Sequence, residues 1–124
     1  RLLFNFKMDS ENPFITILSG QTQIRNKLQL AINMPLKQRI SIKYIMQGLK
    51  LDEMPDYIGS RLKYAGLSDN VFTPSAMEAI YSMSKGIPRL VNNLATASLM
   101  YACSIKQSHI DEEIVYQGQR DFDM

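Results

Sequence analysis

The spacing of apolar residues changes once along this chain, near Gly48, and that change limits the fold more than any other feature of the sequence. Before it, two short runs read as strands. "FITILSG" (14–20) is β-branched, almost wholly apolar and closed by a glycine, the pattern of a parallel strand buried on both faces. "ISIKYIM" (40–46) alternates Ile40, Ile42, Tyr44 and Met46 with Ser41, Lys43 and Ile45, as a strand nearer a sheet edge does. Between the two, Ile24, Leu28 and Ala31/Ile32 recur at helical spacing, which predicts an amphipathic helix over 22–32. "PLKQR" (35–39) predicts a further helical turn. From residue 49 onward every segment has helical period. The sequence therefore predicts an α/β portion, 1–48, and a small all-α domain, 49–124.

Local punctuation divides the all-α part into four helices. The first, about 52–65, puts Tyr57, Ile58, Leu62 and Ala65 on one face, with Asp52 as N-cap, Pro55 in the first turn and Gly66 as its stop. Thr73 caps the second, Pro74 takes its first position and Phe72 can staple onto Met77, while Ala76, Ile80 and Met83 form the buried stripe. Gly86 ends it. The third runs from Pro88 to about Ile105 through Leu90, Val91, Leu94, Ser98 and Tyr101. The fourth starts at Asp111, with Ile110 and Val115 as a second staple.

A chain of 124 residues with 45% apolar content suits one modest core or two small subdomains. The net charge is +2 with cations scattered among acids, so no basic block announces nucleic acid. Cys103 is the single cysteine, which excludes an internal disulfide, fits a reducing cytoplasm and is expected to be a small core residue of the third helix. No apolar run reaches membrane-spanning length. "RLLFNF" (1–6) reads as the end of a helix and "KMDSENP" (7–13) as a polar turn. Without an initiating methionine, that beginning reads as the middle of a longer protein.

Chemistry of its own is hard to find in this chain. The one histidine, His109, stands beside Asp111 with no nucleophile at motif spacing, which argues against a catalytic triad. One histidine and one cysteine cannot form a zinc site, and the carboxylates lie in helix first turns where capping explains them. None of the six glycines begins G-x-x-x-x-G-K-[ST], the loop whose amides cradle phosphates. One placement does ask for a ligand. In "SKGIPRL" (84–90) Arg89 falls in the first turn of a helix, where unpaired amides and the positive end of the macrodipole repel a cation unless an anion lies between them.

"LLFNFKMDSENPFITILSGQTQIRNKL", "LKQRISIKYIMQGL", "YIGSRLKYAG", "FTPSAMEAIYSMSKGIPRLVNNL" and "HIDEEIV", in this order and spacing, resemble the C-terminal half of AAA+ ATPases. The nearest likeness is to the ExeA/GspA-like group, which contains secretion-associated ATPases and transposon-encoded helper ATPases for DNA transposition. The resemblance implies the last strands of an AAA+ core followed by a four-helix lid, with the Walker A and Walker B half lying upstream of Arg1. It implies that Arg89, behind Gly86, Ile87 and Pro88, is the sensor 2 arginine that reaches the γ-phosphate. Arg39 looks like the arginine finger that enters a neighbouring subunit's site, and Ser19 or Gln21 occupies the sensor 1 position. Tyr57, Ile58 and Arg61 resemble the lid residues over the adenine base.

The full-length protein implied is an oligomer that uses ATP and Mg²⁺, neither expected on this piece alone. "NFKMDS" and "GLKLDEMPDYIGSRLKYAG" look more like the transposon-encoded branch, whose partners are a transposase and DNA. The alternatives are a secretion-associated ATPase that assembles envelope machinery and a helical adaptor that binds no nucleotide.

Overall fold

The computed structural model describes residues 14–121, and the expected helix end and polar turn over 1–13 lie outside the described residues. The chain divides into two compact units, one up to Ile45 and one from Met46 onward.

In the first unit, α1 (Gln23–Gln29) is followed by a 3₁₀ turn (Ala31–Asn33) and α2 (Met34–Arg39). The predicted helix over 22–32 stops early because Leu30 turns extended, at φ −62° and ψ 141°. Ile24 and Leu28 are half-buried, but Ile32 is exposed and does not join their stripe. The "PLKQR" turn forms within α2, with Pro35 in its first turn.

Neither predicted strand forms. Apart from one isolated bridge in the second unit, no β-ladder occurs among the described residues, and 14–20 and 40–46 are irregular. Ile15 and Ile17 are 92% and 86% exposed, and Ile42 and Tyr44 are 87% and 85% exposed. Alternation and β-branching report which faces a strand would bury, whereas the strand itself needs a neighbour to bond its amides and carbonyls. Neither run has such a neighbour among the described residues, so the α/β expectation is corrected to a helical fold.

The second unit contains a 3₁₀ turn (Leu51–Glu53) and four helices: α3 (Met54–Tyr64), α4 (Pro74–Ser84), α5 (Pro88–Ser104) and α6 (Glu112–Asp121). Its core gathers one face of each: Met54, Ile58 and Leu62 from α3, Ala76 and Ile80 from α4, Val91, Leu94 and Ala102 from α5, and Ile114 and Val115 from α6. Burying an aliphatic side chain of this size stabilises by about 1.5–3 kcal/mol, so this shared core holds the four helices together.

The punctuation read from sequence is realised at three of four helix starts. Thr73 accepts from the Ala76 amide at 3.2 Å and Pro74 follows it, while Asp111 Oδ1 accepts from the Ile114 amide at 3.0 Å. Pro88 opens α5. Asp52 does not cap α3; it lies within the 3₁₀ turn, which the Lys50 amide closes by donating to Glu53 Oε2 at 2.8 Å.

The loops before α4 and α6 lie side by side as a single parallel bridge between Phe72 and Ile110. The Thr73 amide donates to the Ile110 carbonyl at 2.9 Å, and the Ile110 amide to the Val71 carbonyl at 2.8 Å. Both staples are thereby seated in the core: Phe72 and Ile110 are buried, Val115 is buried and Met77 packs against the cluster. Cys103, expected in the core, is exposed, as is Leu90, because the face of α5 that meets the core runs through Val91, Leu94, Ala97, Ser98 and Ala102; Ala65, placed on the apolar face of the first helix, is the exposed C-cap of α3.

Candidate functional site

The turn between α4 and α5 is built by two consecutive left-handed residues, Lys85 at φ 52° and Gly86 at φ 72°. Ser84 is fully buried and its Oγ accepts from the Gly86 amide at 3.1 Å, while its carbonyl accepts from the Ile87 amide at 3.0 Å. The backbone of Gly48 and Leu49 crosses directly over this turn. Leu49 donates its amide to the Gly86 carbonyl at 2.7 Å, and a Cβ on Gly48 would lie 2.5 Å from the Lys85 carbonyl oxygen. A Cβ on Gly86 would overlap the Leu49 carbonyl. Only two glycines allow two backbones this close.

The crossing fixes the head of α5. Ile87 is its N-cap in extended conformation and supplies no side-chain cap, Pro88 follows, and no acidic residue stands in the first turn. Amides at such a start lack intrahelical partners. Arg89, exposed, makes no ion pair or side-chain hydrogen bond among the described residues. An uncapped helix start with a free guanidinium is suited to phosphate oxygens.

Beside it, α3 and α5 are joined by a hydrogen bond. The Tyr57 hydroxyl donates to Asn92 Oδ1 at 3.2 Å, and the Arg61 guanidinium lies over the Tyr57 ring with Cζ 5.6 Å from the centroid. Asn92 follows Arg89 by three residues and so lies on the same side of α5. Tyr57, and with it Arg61, is thus linked to α5 at Asn92, three residues after Arg89. Ile58 is not part of that link; it is buried in the core. Gly86 is buried, whereas Ile87 and Pro88 are exposed. The sequence reading missed Asn92, Ser84 and Gly48. The spacing of Asn92 from Arg89 was a signal for the first; nothing local marks the other two.

Ser19, Gln21 and Arg39 belong to the first unit. Ser19 and Gln21 are exposed in the segment that leads into α1, with the Gln21 carbonyl accepting from the Ile24 amide at 2.9 Å, and no strand end positions them. Arg39 is the exposed last residue of α2, which also carries Lys37 in its last turn. Cations at that end of a helix are favoured by its dipole irrespective of any ligand.

Among the described residues no group of three or more acids, histidines or cysteines is placed to hold a metal ion, and no helix is long and apolar enough to cross a membrane.

No family model matches the chain, and no solved structure matches it. The chain is similar to General secretion pathway protein A of Aeromonas hydrophila, with 32% identity over 102 residues. The match covers 82% of this chain and 19% of that relative, so the chain spans about a fifth of the relative's length.

Proposed function

We propose that the second unit is the helical lid of a GspA-like, secretion-associated AAA+ ATPase, and that Arg89 is its sensor 2 arginine. The observation that carries this reading is the head of α5: a buried, clasped Gly86, then Pro88, then an unpaired Arg89 in a first turn that holds no acid. The likeness to General secretion pathway protein A supports the secretion-associated part of the reading. Tyr57 and Arg61 stand on α3, linked to α5 through the Tyr57–Asn92 bond, as the side chains that meet the base. In this reading the full-length protein hydrolyses ATP as an oligomer, with Arg39 acting on a neighbouring subunit's phosphate and Ser19 or Gln21 orienting the attacking water. In this reading Mg²⁺ would arrive with the nucleotide, bound to its phosphate oxygens.

Secretion takes precedence over transposition because the named relative is a secretion protein. The transposition reading rests on "NFKMDS" (5–10), which lies outside the described residues, and on the segment 48–66. Partners distinguish the two. The full-length protein should co-purify with envelope machinery and ignore DNA; capture of a transposase with DNA would reverse the order.

Binding of a fluorescent ATP analogue to the full-length protein tests the site. A lost charge-assisted phosphate contact predicts affinity about 10- to 100-fold weaker in Arg89→Ala. Unchanged affinity would overturn the reading.

A further inference from the structure

The bond between Tyr57 and Asn92 spans 35 residues of sequence and joins two helices at a partly buried point. Both side chains are half-exposed, so either polar atom could turn to water, and the bond is worth little to the fold. Its geometric effect is larger. A tyrosine ring has two free torsions; here the hydroxyl bond to Asn92 fixes the direction of the ring axis, and packing of the ring against the core cluster limits its rotation about that axis. The Arg61 guanidinium lies over the ring and follows it. Asn92 itself is set by α5, one turn beyond Arg89.

We propose that Asn92 is a positioning residue: it holds the Tyr57 ring, and through it Arg61, in fixed register with Arg89, so that side chains from α3 and α5 meet a nucleotide as one preformed surface. The inference rests on the nucleotide-binding reading of Arg89. It assigns to Asn92 no contact with the nucleotide. Loss of the register therefore weakens ATP capture without touching the reacting phosphate.

The test is steady-state ATP hydrolysis by the full-length protein carrying Tyr57→Phe, Asn92→Leu or both, with Arg89→Ala alongside. Each single change should raise KM for ATP about fivefold, the scale of one neutral hydrogen bond, with kcat within about twofold. The double variant should be no worse than either single one, because both remove the same bond. Tyr57→Phe keeps the ring and its packing, so it reads the bond even where Asn92→Leu disturbs the helix. If Arg89→Ala raises KM while Tyr57→Phe does not, or if the two losses multiply in the double variant, the positioning role is wrong and the site reading stands. If Arg89→Ala also leaves KM and binding unchanged, both fall together.

Discussion

The amide of Leu49 donates to the carbonyl of Gly86 at 2.7 Å, which ties the opening residues of the second unit to the turn that presents Arg89. The tie consists of backbone, and its strength depends on what is missing: neither Gly48 nor Gly86 has a side chain to hold the two segments apart.

Gly86→Ala is accordingly expected to be among the most damaging single substitutions in the second unit. Left-handed backbone alone costs a non-glycine residue about 1–3 kcal/mol, and the added methyl meets the Leu49 carbonyl as well. Urea unfolding followed by circular dichroism should show a clear loss of stability. Gly66→Ala is the control, since its φ is also left-handed, at +81°, but no atom lies near its missing Cβ. Equal losses at the two positions would mean that the crossing contributes nothing beyond backbone conformation.

The N-caps make a second, smaller prediction. Thr73→Ala and Asp111→Ala each remove a side-chain acceptor from a first-turn amide and should each cost about 1 kcal/mol. The two caps lie at the ends of the paired loops 71–73 and 110–111, which share the Phe72–Ile110 bridge. Their effects should therefore couple. A double variant whose loss is the plain sum of the two would show that the bridge does not transmit one cap to the other.

These caps mark what the sequence made legible. Thr73-Pro74, Pro88 and Asp111 act on amides within a few residues, so the starts of α4, α5 and α6 could be read from adjacent letters. The runs at 14–20 and 40–46 misled for the opposite reason: a strand is a relation between distant segments, and no partner segment lies among the described residues. Cys103 and Leu90 misled because apolar letters on α5 outnumber the positions that its packing against α4 and α6 can cover, and small residues such as Ala97 and Ala102 take the closest contacts. In the candidate site, Gly86-Ile87-Pro88-Arg89 was legible as a local break. The clasp by Leu49 and the bond from Tyr57 to Asn92 were not, since each is set by tertiary packing across more than thirty residues.

The pair Lys63–Asp69, 2.9 Å apart on the surface, sets the pH dependence that can be expected of the α3 end. The hydrogen bond from Lys63, reinforced by its charge, holds the Asp69 carboxyl below its ordinary range, and the bond to Asp69 raises Lys63 above its own. For Asp69 the gain is present above its unfolded pKa and lost as pH falls through the lower folded value. For Lys63 it is present below the unfolded pKa and lost as pH rises through the higher folded value. The stability difference between the native chain and Asp69→Asn should thus be a small plateau between about pH 5 and about pH 10, vanishing beyond both edges and shrinking in molar salt. A difference that persists at pH 2 would assign the effect to something other than the ion pair.

The two proposed phosphate arginines differ in the direction in which each acts, and subunit mixing separates them. In the full-length protein, Arg89→Ala should weaken nucleotide binding or hydrolysis in every subunit that carries it, because sensor 2 serves its own phosphate. Arg39→Ala should leave binding nearly intact and lower turnover by about 10³-fold or more, the scale of a missing arginine finger. A donor subunit with an intact Arg39 but a dead Walker A cannot hydrolyse ATP itself, yet it can offer its arginine across the interface. Mixed with Arg39→Ala subunits it should restore hydrolysis; mixed with Arg89→Ala subunits it should not, since the missing contact lies inside the defective subunit. The position of Arg39 at the end of α2, where the helix dipole already favours a cation, supplies the competing explanation of its presence. That explanation predicts an Arg39→Ala protein with ordinary turnover and nothing for the donor to rescue, so a near-normal rate in the single variant would remove Arg39 from the site while leaving Arg89 in place.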